Sequence, residues 1–178
     1  MADNRYPMTD SRLIVFGGLP GVGKTTIARE LARTIGAVFV RIDTIESALR
    51  QSGRVPGAME DAGYRVAYGI AEDNLNAGRT VVADCVNPIR LTRDAWRAVA
   101  HRAGAAIVEV EVVCSDPAEH RRRVETRPIE FPGWTLSWQE VVDREYHPWD
   151  RDRIVLDTAR TAPGTHVATL ASRHPEGS

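Results

Sequence analysis

Residues 13–26 read Leu13-Ile14-Val15-Phe16-Gly17-Gly18-Leu19-Pro20-Gly21-Val22-Gly23-Lys24-Thr25-Thr26, and the fold follows from them. Residues 13–16 are a short unbroken apolar run, the pattern of a strand buried on both faces of a parallel sheet. A helix is expected at 24–34, with Ile27, Ala28, Leu31 and the following Ile35 at helical spacing, and Gly36 supplies a stop. Between strand and helix, Gly18 to Thr25 fits the spacing G-x-x-x-x-G-K-[ST] throughout. Glycines there permit torsions that a Cβ forbids and let the main chain approach a ligand closely. The loop's N–H groups converge on the N-terminus of the following helix, where the helix dipole favours an anion.

Working outward, apolar strand-like runs keep alternating with helical patterns, which predicts an α/β fold with a parallel sheet. Further strands are expected at 37–42, 80–84, 107–113 and 154–156. Helices are expected at 44–50, 58–77, 93–103 and 164–171, with a turn-forming stretch at 53–57. Asp116-Pro117 opens another helix with a cap and a first-turn proline, and Ser137-Trp138-Gln139-Glu140 reads as a capping box. No repeat, low-complexity tract or long linker divides the chain. The expectation is one domain over 12–171 between short tails at 1–11 and 172–178.

The 178 residues are 43% hydrophobic and 26% charged, with a net charge of −1, which excludes a disordered chain and gives no general pull toward nucleic acid. The apolar runs are too short to span a membrane, and the polar start MADNRYPMTDSR is no secretory signal. A cytoplasmic setting is therefore expected. Cys85 and Cys114 each follow a β-branched run and read as small buried hydrophobes, and neither they nor the five histidines show metal-ligand spacing. Of the 23 basic residues only one, Lys24, is a lysine. A chain that uses Arg everywhere else keeps a compact ammonium at the glycine-rich turn, where a wide planar guanidinium would not serve.

That turn is a phosphate cradle. Gly18, Leu19, Pro20, Gly21, Val22 and Gly23 supply backbone amides, Lys24 reaches β- and γ-phosphate oxygens, and Thr25, followed by Thr26, offers a hydroxyl to Mg²⁺. The expected ligands are ATP and Mg²⁺. A guanine-specific [NT]-K-x-D motif is absent, because there is no second lysine. Asp84 ends its strand and is followed by Cys85 rather than by the Glu with which ring ATPases orient water. Asp84 should emerge at the carboxyl edge of the sheet, where ligands sit, and hold the metal. Asp43 ends the second strand in the same way and can take the proton of an acceptor hydroxyl; with Glu46 it also resembles a helix cap and its reciprocal partner. Arg121, Arg122, Arg123 and Arg127 precede Pro128 in a lid-like segment, with Arg123 and Arg127 four apart on one helical face. A guanidinium there can neutralise the transferring phosphoryl group, whereas a solvated helix face is the plainer use of such a run. Trp134, Trp138, Tyr146 and Trp149 either stack on a substrate or pack a helix on the core.

Together GGLPGVGKTT, RIDTIESALR, VVADCVNPIRLTRDAW and SDPAEHRRRVETR resemble the P-loop kinase superfamily, in particular the kinase domain of phage-type polynucleotide kinase and small bacterial relatives. The adenylylsulfate, gluconate and chloramphenicol kinases share that scaffold. The resemblance implies a three-layer P-loop NTPase fold whose five-stranded parallel sheet has the order 2-3-1-4-5, with an acceptor-side segment at 44–78 and a helical lid at 118–136. It implies Asp43 as general base, Arg127 as the lid arginine, and Asp84 and Arg93 beside the acceptor. Glu46 stands where those polynucleotide kinases carry an Arg. In that strand order Cys85 and Cys114 flank the first strand and lie about 9.5 Å apart, beyond disulfide reach. The expected activity is transfer of the γ-phosphoryl group of ATP to a small-molecule hydroxyl. The alternatives are a polynucleotide 5′-hydroxyl kinase and a nucleotide-binding regulatory module without transfer.

Overall fold

Strand β1 (Arg12–Gly17) is buried on both faces, which is why it reads as an unbroken apolar run. Leu13 and Val15 join one core with Leu75, Val81 and Trp96, while Ile14 and Phe16 join another with Ile27, Leu31, Val112 and Leu170. The computed structural model describes residues 11–53, 61–131, 133 and 135–173. The other elements are α1 (Lys24–Thr34), β2 (Val38–Arg41), α2 (Ile42–Gln51), α3 (Ala62–Asn76), β3 (Val81–Asp84) and α4 (Arg90–Arg102). They are followed by β4 (Ala106–Val113), α5 (Pro117–Thr126), α6 (Trp138–Val142), β5 (Ile154–Asp157) and α7 (Pro163–Ala171).

All strand pairs are parallel, and the order is β2-β3-β1-β4-β5, as the resemblance implied. Helices α1 and α7 cover one face, α3 and α4 the other. β3 and β4 flank β1, so Cys85 and Cys114 leave the sheet on opposite sides of it, and both are free thiols. The Ser137 capping box forms, and Asp116 caps α5 by accepting from the Ala118 and Glu119 amides.

The strands and α7 shift by a single residue at their ends, and three helix starts differ more from the sequence expectation. The extended Arg41 runs straight into α2 with no loop, so the helix begins at Ile42 and takes in Asp43. Helix α4 starts three residues earlier than position 93 because Ile89, after Pro88, is already extended and serves as its N-cap. Asp61 precedes α3 as its N-cap, and the expected start at 58 and most of the 53–57 turn lie outside the described residues. Of the expected tails, 1–10 and 174–178 also lie outside them. Ser11 is buried, and its carbonyl accepts the Ala106 amide.

The turn after β1 fits only glycine at Gly18. Its φ is +135°, and a Cβ there would sit 2.2 Å from the Val112 carbonyl oxygen, a rigid backbone atom of the neighbouring strand. Gly18→Ala should therefore lower the unfolding free energy by about 2–5 kcal/mol, from backbone strain and overpacking together. A lower urea midpoint with an unchanged m-value is the expected result.

Candidate active site

Gly21 and Gly23 are also left-handed, with φ of +83° and +98°, and Gly23 is the N-cap of α1. No side chain caps that helix start, which leaves its first amides directed into the loop. Lys24, the first residue of α1, is buried, and its Nζ donates to the Leu19 carbonyl across the loop at 2.8 Å. Burial pushes its pKa down, while the carboxylates of Asp84 and Asp43 oppose that shift.

The register of β2 on β3 sets Arg41 opposite Asp84, and that of β1 on β3 sets Phe16 opposite Asp84. Asp84 thus emerges beside the loop, 3% exposed. Burial raises its pKa, against the pull of Lys24 and of a hydrogen bond from the Thr25 hydroxyl. Its Oδ2 has no hydrogen-bond partner and lies 3.6 Å from Arg41 Nε. Thr25 and Asp84 therefore stand together, with one buried carboxylate oxygen left over, a donor set that suits a hard divalent cation.

Asp43 lies in the first turn of α2 and is not its cap. Its side chain, one-third exposed, pairs with Arg41 Nη2 at 3.3 Å, and Glu46 pairs with Arg50. The capping alternative fails because the strand passes directly into the helix one residue before Asp43.

Arg41 is the residue that the sequence reading missed. Its guanidinium is almost completely buried and meets Asp43, Asp84 and Glu130, with Glu130 held through both carboxylate oxygens. Burial works against its charge, but these three carboxylates outweigh it and raise its pKa. An Arg as the last residue of a short, otherwise apolar strand, two positions before Asp43, was the available signal.

On the lid side the two candidate arginines separate. Arg123 is bound to Glu119 at 2.8 Å and to the Thr158 hydroxyl at 2.8 Å, and that hydroxyl in turn donates to the Val22 carbonyl. Arg123 is thus a strut between α5, the loop after β5 and the glycine-rich turn. Arg127, where α5 ends, lines the cavity and has no hydrogen-bond partner among the described residues. His120 is a second strut that the sequence reading missed: its ring contacts the Pro20 carbonyl at 2.8 Å and packs edge-on against Trp138.

Arg93 does not reach the acceptor side, contrary to the expectation. It lies in the first turn of α4 and is 0% exposed. Its guanidinium donates to the carbonyls of Asn87, Pro88, His147 and Pro148 and lies over the Trp149 ring. Tyr146 and Trp149 therefore clamp the chain on a buried arginine; Trp134 lies outside the described residues. The aromatic residue that does line the cavity is Tyr64, whose hydroxyl accepts the Asn87 amide.

A cavity of about 770 Å³ joins these parts, lined by Lys24, Thr25, Asp43, Asp84, Arg127 and their neighbours. Residues 13–131 match the family AAA_33, described as AAA domain. The chain belongs to that family. A relative at 32% identity over 110 residues is the uncharacterized protein Rv2004c of Mycobacterium tuberculosis; the match covers 55% of this chain and 22% of that protein. The chain therefore spans less than a quarter of that relative. Among solved structures, a candidate kinase from Chloroflexus aurantiacus is similar over 97% of this chain and 100% of its own, with a TM-score of 0.72 at 17% identity. The Mycobacterium tuberculosis APS kinase CysC, solved with AMPPNP and APS, covers 90% and 95% with a TM-score of 0.67 at 19% identity. The chain has the fold of P-loop kinases.

Replacing Arg93 with Met should lower stability by about 3 kcal/mol or more, because it strips donors from buried carbonyls. Denaturant unfolding would measure this. Burial holds the Cys85 thiol far above its ordinary pKa, and its Sγ points at the Phe16 carbonyl. Iodoacetamide at pH 8 should therefore alkylate the half-buried Cys114 and spare Cys85 until the protein unfolds, as peptide mass spectrometry would show.

Proposed function

We propose that this chain transfers the γ-phosphoryl group of ATP to a hydroxyl of a small-molecule acceptor. One observation carries the reading: a buried ammonium, a strand-end carboxylate with an unpartnered oxygen, a half-open carboxylate and a lid arginine all line one cavity at the glycine-rich turn. Three glycines with positive φ support close approach of backbone amides to the phosphates, and Lys24 supplies a point charge to their oxygens. The APS kinase of similar fold holds AMPPNP and APS, which supports a nucleotide donor and a separate acceptor.

Thr25 and Asp84 would hold Mg²⁺, which neutralises phosphate charge when bound. Asp43 is the general base. Arg41 sets its direction from 3.3 Å, and a third of its side chain is open to the cavity. Its carboxylate takes the acceptor's hydroxyl proton as that oxygen forms its bond to the γ-phosphorus. The bond from phosphorus to the β–γ bridging oxygen breaks, and its electron pair leaves with ADP. Arg127, unlike the tethered Arg123, is able to turn onto the equatorial oxygens of the transferring group.

Asp43→Asn should reduce transfer from ATP roughly 10²- to 10⁴-fold while nucleotide affinity stays within about twofold. Lys24→Met should lose both nucleotide affinity and transfer. Calorimetric titration with AMPPNP, together with phosphate-transfer assays on a fractionated metabolite pool, would read the two effects. Full transfer by Asp43→Asn would remove it as the base.

A further inference from the structure

Helix α5 follows β4, whereas Arg41 ends β2, and in the sheet β1 and β3 lie between those two strands. Three strand spacings, roughly 14 Å, separate them. Residues 127–131 cross that gap. Arg127, Pro128 and Glu130 line the cavity, and Glu130 and Phe131 both reach Arg41 on its far side. The segment therefore runs as a strap over the carboxyl ends of β1 and β3, where the glycine-rich turn and Asp84 stand.

Arg41 donates to both carboxylate oxygens of Glu130, from Nη1 to one and from Nη2 to the other at 2.8 Å, and Arg29 Nη2 approaches the same carboxylate at 3.7 Å. Phe131 lies on the same guanidinium, its ring centroid 5.2 Å from Cζ. An ion pair on an open surface contributes little. This one differs, because the Arg41 side chain is 6% exposed and that of Glu130 41%. The cation is a receptacle fixed in the fold, and the carboxylate comes to it from the solvent side. The other carboxylates near Arg41 stand further off, Asp43 at 3.3 Å and Asp84 at 3.6 Å. Hydrogen bonds from Arg41 lower the pKa of Glu130, which keeps it charged at neutral pH. The rest of the strap is lightly held: Ile129 is 66% exposed, and Arg127 has no hydrogen-bond partner among the described residues.

We propose that Glu130 is a latch: seated on Arg41, it fastens residues 127–131 across the cavity, and its release opens the way for ligands to enter and leave. The latch deepens the phosphotransferase reading and rests on it for what the cavity holds. A bidentate, charge-assisted contact of this kind shifts an open–closed equilibrium by roughly tenfold or more. That is enough to keep the strap mostly shut and still let it open on the timescale of such segments. Arg127 rides on the same strap, so the contact that shuts the cavity also delivers this guanidinium to it.

Hydroxyl-radical footprinting of the full chain without nucleotide, read by peptide mass spectrometry, tests the latch. Phe131 on the strap and Tyr64 in the cavity wall report opening, and Trp138, packed on His120, reports whether the fold around α5 is intact. Glu130→Gln removes the charge and keeps the shape. It should make Phe131 and Tyr64 oxidise at least about threefold faster and leave Trp138 unchanged. Arg29→Gln should raise the same two residues by a smaller factor. Glu125→Gln, which breaks an exposed pair with Arg121 on α5, should leave all three alone. No rise at Phe131 and Tyr64 in Glu130→Gln, a rise that Trp138 shares, or an equal rise in Glu125→Gln would each overturn the latch. Calorimetric titration of the unaltered chain with Mg²⁺ and AMPPNP reports separately on the phosphotransferase reading, since the footprints are taken with the cavity empty of nucleotide.

Discussion

Lys24 and Asp84 are both taken out of water at the carboxyl edge of the sheet, and each favours the charged form of the other. Burial lowers the pKa of the ammonium and raises that of the carboxylate, while each restrains the shift of its partner. Removing one member of such a group leaves an uncompensated buried charge, which costs more than the pair contributes. Arg41 extends the group by one cation and Asp43 by one carboxylate. The lid residue Glu130 closes it from above. The chemistry of the site is therefore an electrostatic arrangement in which strand register decides who meets whom.

The glycine-rich turn is held from several sides. A Cβ would meet Val124 of α5 at Gly21 and the Val112 carbonyl at Gly18, while at Gly23 it would only touch Thr158. At Gly18 and Gly21 the close packing leaves no room for a side chain. Arg123 and His120 serve better as struts than as mobile groups, since their polar atoms already meet Thr158 and the Pro20 carbonyl. Arg127, one turn further on and past the helix end, escapes those tethers. The likeness to kinases at 17% and 19% identity is a likeness of scaffold. In the proposed function, acceptor choice falls to the few side chains that α2, α3 and the β3–α4 loop bring to the cavity.

The two cores on either side of β1 also carry function, because they leave the ends of β1, β2 and β3 as the place where polar residues collect. Trp96, Leu75 and their neighbours bury one face, and Ile27, Leu31 and Phe16 the other. Arg93 belongs to this supporting structure. By binding the carbonyls of residues 87, 88, 147 and 148 it fixes the loop that bears Val86 and Pro88, and so shapes the cavity from behind.

Local sequence determined the strand, the glycine turn and the helix at residues 13–34, because a doubly buried strand, left-handed turn positions and an amphipathic face each leave a pattern within a few residues. It also determined the caps at Asp116 and Ser137, which act within one helical turn. The order of the strands was legible only through resemblance, since nothing local states which strand lies next to which. The role of Arg41 and the inward turn of Arg93 were decided by tertiary structure alone. Register set Arg41 across from Asp84, and the carbonyls of residues 87, 88, 147 and 148, which come together only in the fold, hold Arg93 inside. Partners that meet across 89 residues, as Arg41 and Glu130 do, leave no mark in either segment.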